Sequence, residues 1–143
     1  MTARTHIGPE IDIAPLALGC NVFGWTADRD ASFAVLDAFT AGGGDFLDTA
    51  DGYSHWVPSN AGGESERIIG EWLASRGVRD HVVVATKVSS HPEFLGLSGA
   101  NVRAAAVASA RTTEQLQALL ASLRLELGVD ELRTLDLGAV AEN

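Results

Sequence analysis

The chain has 143 residues, 46% of them hydrophobic and 20% charged, which excludes a disordered or fibrous protein and fits one globular domain. Lys and Arg number 10 against 19 Asp and Glu, a formal charge of −9, which disfavours general binding to nucleic acid or to anionic membranes. Cys20 is the single cysteine, so an intrachain disulfide framework and a cysteine-based zinc site are excluded.

No apolar run reaches the roughly 18 residues of a membrane span. Met1 to Glu10 lacks the apolar region of a signal peptide. The expectation is a cytoplasmic protein with no membrane partner, no nucleic-acid partner and no metal site.

Ile11 to Pro15 predicts a small N-terminal strand or hairpin, and Leu16–Leu18 a first core strand. A turn follows from Gly19-Cys20-Asn21 to Gly24-Trp25. Asp28 to Thr40 has helical spacing, with Phe33, Leu36, Ala38 and Phe39 on one face and Asp28 or Asp30 as the cap. Gly42-Gly43-Gly44 breaks this helix. Phe46 to Thr49 is a short buried strand that ends in polar residues. Asp51 to Gly63 is a polar loop. Ser65 to Arg76 is a second amphipathic helix, with Ile68, Ile69, Trp72 and Leu73 apolar and Gly77 as its stop.

Val82 to Lys87 is a continuous β-branched run, the pattern of a strand buried on both faces. Ser89 to Ser98 is a loop, and a third helix begins at Asn101. Strands alternating with helices predict βαβ units and a parallel sheet, with functional residues at the C-terminal strand ends. After Ser109 the alternation stops. Glu114–Leu127 and Asp130–Leu137 read as helices, with no further strand.

Asp48 closes the second strand, Tyr53 follows five residues later in the loop, and Lys87 closes the third strand. Adjacent parallel strands bring those ends together. A Lys ammonium beside a Tyr hydroxyl favours the phenolate, and a carboxylate keeps the Lys charged and oriented. Such a Tyr suits proton donation to a carbonyl oxygen while hydride reaches its carbon. On spacing alone, a strand-end Asp, a loop Tyr and a solvated Lys explain the pattern equally well.

Four segments make the pattern specific. Phe46-Leu47-Asp48-Thr49-Ala50-Asp51-Gly52-Tyr53-Ser54 resembles the active-site signature of the aldo/keto reductases. Gly62-Gly63-Glu64-Ser65-Glu66-Arg67-Ile68-Ile69-Gly70 resembles the stretch that follows it in that family. Ala85-Thr86-Lys87-Val88 resembles the strand with the catalytic lysine. Leu16-Ala17-Leu18-Gly19 and Asn21 to Trp25 resemble the first barrel strand and the cofactor-side turn. The order and intervals agree over about residues 4–109.

The resemblance implies a (β/α)8 barrel, NADPH as hydride donor and a small-molecule carbonyl substrate. It also implies a tetrad of Asp, Tyr, Lys and His. Tyr53 matches the general acid, Lys87 its tuner and Asp48 the partner of Lys87. The His comes from the end of a fourth strand, which none of His6, His55, His81 and His91 follows. Ala108 to Leu116 resembles the family's segment after its eighth strand. There Ser109, Arg111 and Gln115 match positions that bind the adenosine phosphate, and a guanidinium at a helix N-terminus suits that anion. Asn21 matches a cofactor-side position.

A complete barrel needs about 250 residues and at least roughly 200. The expected fold class is therefore α/β, a partial TIM barrel. Residues 1–109 are three βα units joined to a C-terminal helical segment, 110–143, with strands four to eight missing. Two functions follow: an NADPH-dependent oxidoreductase, or a non-catalytic remnant that folds poorly or self-associates through open sheet edges. A separate nucleotide-binding module fits poorly, because no glycine-rich phosphate motif follows a strand.

Overall fold

The computed structural model describes residues 4–7 and 11–109. Two short strands, β1 (Thr5–Ile7) and β2 (Ile11–Ile13), pair antiparallel, with His6 opposite Asp12. Arg4 ties this hairpin down. Its guanidinium donates to Asp12 at 2.7 Å and to Asp45 at 2.6 Å. Asp45 also accepts from the Ala14 backbone N–H at 2.8 Å, which anchors the chain just before the main sheet.

That sheet has three parallel strands in the order β3 (Ala17–Gly19), β4 (Phe46–Asp48) and β5 (Val83–Ala85). Gly19 pairs with Asp48, and Asp48 with Ala85, so the three C-terminal ends are level. Helix α1 (Arg29–Ala41) joins β3 to β4, and α2 (Glu64–Arg76) joins β4 to β5 by way of a 3-10 turn at Arg79–His81. Helix α3 (Gly99–Ser109) follows β5. These are consecutive βα units, as the alternation predicts.

The helix limits have local causes. The Asp28 carboxylate caps α1 by accepting from Ala31 N–H at 2.9 Å. Gly42 ends it, and Gly43 turns the chain with φ +89°. The Glu64 carboxylate reaches back to Ala61 and Gly62 N–H at 2.9 and 3.0 Å, so loop donors are satisfied from the first turn of α2. Gly77 ends α2 in the left-handed conformation at φ +65°.

The core lies between the sheet and the α1–α2 pair. Leu36, Leu47, Ile68, Ile69, Trp72 and Phe23 are its most buried large side chains. Each such side chain removed from water contributes roughly 1.5–3 kcal/mol. The buried Trp72 indole is still satisfied, because its Nε1–H donates to Asp37 at 2.8 Å. Arg76 grips the same carboxylate at 2.7 and 2.9 Å, which locks α1 to α2.

Three expectations need correction. The first core strand begins at Ala17, not Leu16. Pairing starts with Ala17 opposite Phe46, so Leu16 precedes the ladder and is 66% exposed. Ala38 is exposed, whereas Ser32 takes a buried place on α1 because its hydroxyl donates to Asp28 O at 2.6 Å. The third strand is shorter than Val82–Lys87 and only half-buried, since among the described residues β5 has a neighbour on one side alone. The expected helices at 114–127 and 130–137 lie outside the described residues.

Candidate active site

Parallel pairing continues past the strand ends through the backbone. Cys20 N–H donates to Asp48 O at 2.9 Å, Thr49 N–H to Ala85 O at 2.8 Å, and Asp51 N–H to Lys87 O at 3.0 Å. This extension brings Lys87 level with the Asp48 side chain. The Lys87 ammonium donates to Asp48 Oδ1 and to Thr49 O, each at 2.6 Å. It also sits 4.8 Å from the centre of the Tyr53 ring. The three residues singled out in the sequence are thus one cluster, at the C-terminal rim of the sheet.

The electrostatics agree with the geometry. Partial burial pulls the Lys87 pKa down, but the hydrogen bond to Asp48 and the attraction of Tyr53 outweigh it, and the net shift is upward. The ammonium therefore stays charged beside the Tyr53 ring.

Tyr53, Lys87, His55, Trp56 and Val88 line one open cleft. Trp56 meets Tyr53 edge-on at 6.4 Å and Trp25 edge-on at 5.6 Å, and both indoles are about half exposed beside the reactive groups. Such an arrangement presents a phenolic proton, a fixed ammonium and an apolar wall to a small molecule.

The Asp51–Gly63 loop that carries Tyr53 is well anchored. Ser54 is fully buried with φ +69°, a strained value for serine, and its hydroxyl donates to Phe23 O at 2.8 Å. Asn60 donates to Gly24 O at 2.8 Å, and Gly63 N–H to Asp51 O at 2.7 Å.

The histidines separate clearly. His6 is exposed on β1, and His81 lies in the turn before β5, away from the rim. His55 reaches the cleft, with Nδ1–H donating to Gly52 O at 2.6 Å. His91 is buried, with Nε2–H donating to Ala61 O at 2.8 Å and Nδ1 accepting from Glu93 N–H at 3.2 Å. It clasps the loop after β5 to the Tyr53 loop. The Gly62 backbone, at φ +102°, lies directly under its ring, where any side chain would collide.

Of the cofactor candidates, Asn21 is exposed on the turn after β3, at the same rim, and Ser109 is the last residue of α3. Arg111 and Gln115 lie outside the described residues. Among the described residues no His, Cys, Asp and Glu group could hold a metal ion.

Sequence reasoning missed two features. Asp51 is 4% exposed with Oδ2 unpartnered among the described residues, and burial raises its pKa against the opposing pull of Gly52 N–H, His91 and His55. Thr49 and Ser65 share a buried hydrogen bond at 2.9 Å. Polar residues at the end of a buried strand were the only signal for either.

Comparison with known proteins agrees with the segment resemblances. The aldo/keto reductase family pattern matches residues 15–137. An uncharacterized 11.2 kDa protein of Pseudescherichia vulneris is 51% identical over 81 residues, 56% of this chain and 79% of that protein. An aryl-alcohol dehydrogenase [NADP(+)] of Phanerodontia chrysosporium is 42% identical over 90 residues, 57% of this chain but 22% of the enzyme. The aldo-keto reductase AKR11C1 of Bacillus halodurans, solved in its holo form, superposes with a TM-score of 0.60 at 24% identity. That superposition covers 82% of this chain and 37% of the solved one. The chain thus spans about a fifth of the named dehydrogenase, and its βα units form a partial (β/α)8 barrel. By pattern, relatives and fold, the chain belongs to the aldo/keto reductase family.

Proposed function

We propose that the cleft is the proton-donating part of an NADPH-dependent site that reduces the carbonyl group of a small aldehyde or ketone. The observation that carries this reading is the Lys87 ammonium, bonded to Asp48 at 2.6 Å and poised 4.8 Å from the Tyr53 ring. In the proposed step Tyr53 gives its phenolic proton to the carbonyl oxygen. Lys87 stabilises the phenolate left behind, and Asp48 holds Lys87 charged and in place. When bound, NADPH supplies the hydride that reaches the carbonyl carbon.

The exposed Asn21, on the same rim as Asp48 and Lys87, fits a polar cofactor group. Ser109, Arg111 and Gln115 are the proposed adenosine-phosphate contacts. The NADP(+) in the name of the aryl-alcohol dehydrogenase relative supports this choice of cofactor. We also propose that segment 110–143 is the closing helical part of the same barrel, and that the chain works in the cytoplasm. No described helix is long and apolar enough to cross a membrane.

A chimera tests the reading. Residues 15–109 replace the matching part of a complete aldo/keto reductase barrel, and NADPH oxidation is followed with a panel of aldehydes. Turnover that collapses in Tyr53→Phe and in Lys87→Met is expected. A chimera that turns over equally well without the Tyr53 hydroxyl, or one that folds and is inert, refutes it. The 143-residue chain alone is expected to show no appreciable turnover, because none of its four histidines follows a fourth barrel strand.

A second reading, self-association of a non-catalytic remnant, draws on β3 and β5, which among the described residues each pair on one side only. Light scattering across a concentration series distinguishes it. A monomer at all concentrations removes that reading.

A further inference from the structure

Two buried hydroxyls lie behind the backbone carbonyl that holds the same ammonium. Ser65, in the first turn of α2, is fully buried and donates to Cys20 O at 2.8 Å. Its single proton is committed there, so at 2.9 Å its oxygen accepts from the Thr49 hydroxyl. Thr49, 1% exposed, is held again through its backbone: N–H to Ala85 O at 2.8 Å, and its own carbonyl accepting from Lys87 Nζ at 2.6 Å.

The pair is not needed to satisfy the Cys20 carbonyl, which already accepts from Phe23 N–H at 3.2 Å. What it does is hold the Thr49 hydroxyl, which together with the N–H bond to Ala85 O sets the direction of the Thr49 carbonyl. An ammonium has three protons. Asp48 takes one and Thr49 O another, which leaves one for the Tyr53 side of the cleft. With a single anchor, a four-carbon side chain half open to solvent swings about that anchor. With two it is aimed.

We propose that Thr49 and Ser65 are positioning residues for the Lys87 ammonium, holding the Thr49 carbonyl as its second anchor so that the third N–H faces Tyr53. The proposal rests on the carbonyl-reductase reading only in taking Tyr53 as the group served.

Lys87 is the only lysine of the chain, so a lysine-specific isotope label reports on it alone. The experiment is an NMR titration of lysine-labelled full-length chain, comparing the parent with Thr49→Val, Ser65→Ala, Thr49→Ser and Ser32→Ala. Ser32→Ala removes a buried hydroxyl from α1 that makes no bond toward Lys87, so it reports general destabilisation.

Thr49→Val and Ser65→Ala are expected to titrate at lower pH than the parent. Thr49→Ser keeps the hydroxyl and is expected to titrate with the parent, as is Ser32→Ala. Parent-like titration in Thr49→Val overturns the proposal, and so does an equal fall in Ser32→Ala. Where Thr49→Val does not fold, the milder Ser65→Ala decides alone, and parent-like titration there overturns it. The titration needs neither cofactor nor turnover. An inert chimera beside a shifted Lys87 therefore refutes the function and leaves the positioning standing.

Discussion

Gly62→Ala is the sharpest test of the packing behind the cleft. At φ +102° the backbone suits glycine, and a Cβ there falls on the His91 ring. Forcing a side chain into the left-handed region costs about 1–2 kcal/mol. Displacing His91 breaks its buried bond to Ala61 O, a further loss of about 1 kcal/mol. Gly43→Ala supplies the comparison, because Gly43 has φ +89° but nothing within 4 Å of an added Cβ. Gly43→Ala should therefore lose only the backbone component, and Gly62→Ala about 1 kcal/mol more, or roughly 4 °C in Tm.

Urea unfolding followed by tryptophan fluorescence measures both. A double-mutant cycle with His91→Ala completes the argument, since clearing the ring should lower the Gly62→Ala cost toward the Gly43→Ala value, leaving only the 3.2 Å contact with Asp51 O. Equal costs for the two glycines, or a Gly62→Ala cost unchanged in the His91→Ala background, refutes the clasp.

Three further outcomes are expected. Hydrogen bonds from Arg76 and then Trp72 hold the Asp37 carboxylate down to about 2. Its contribution is therefore present above the ordinary value of 3.8 and fades as pH falls through about 2. Asp37→Asn should be less stable than the parent at neutral pH, and the gap should close in acid-unfolding curves as Asp37 protonates. Asp51 carries the opposite sign: burial raises its pKa, so the folded state is penalised once pH exceeds the unfolded carboxyl value. Asp51→Asn should gain stability over the parent at neutral pH and lose that gain in acid; a gain that persists below the ordinary carboxyl range would contradict this. Burial, and next the Asp48 charge, push the Cys20 thiol up to about 12. Ellman's reagent at mildly alkaline pH should label it only after denaturant is added, and rapid labelling of the native chain would count against its full burial.

Much of the site was legible because it depends on one-dimensional spacing. Asp48 and Lys87 meet because a short apolar run and a β-branched run are adjacent parallel strands whose ends are level. Tyr53 follows because its loop departs from the same rim. The helices were legible from period and caps, as with Asp28 and Gly77. What stayed hidden depends on a third partner. Burial of His91 requires the bare backbone of Gly62, in the loop before α2. The Thr49–Ser65 bond requires α2 to begin directly against the strand ends. Ser32 is buried on α1 because a hydroxyl bonded to its own helix is satisfied inside the core, which an apolar pattern does not register.

Backbone bonds, not side chains, carry the rim: Cys20 to Asp48, Thr49 to Ala85 and Asp51 to Lys87. Chemistry and architecture are therefore separable in this chain. A substitution at Asp48, Tyr53 or Lys87 removes a reactive group while every main-chain bond that placed it survives. Drift at these three side chains leaves the strand-end ladder in place. Selection on stability alone would thus keep the βα units while the side chains at their rim changed.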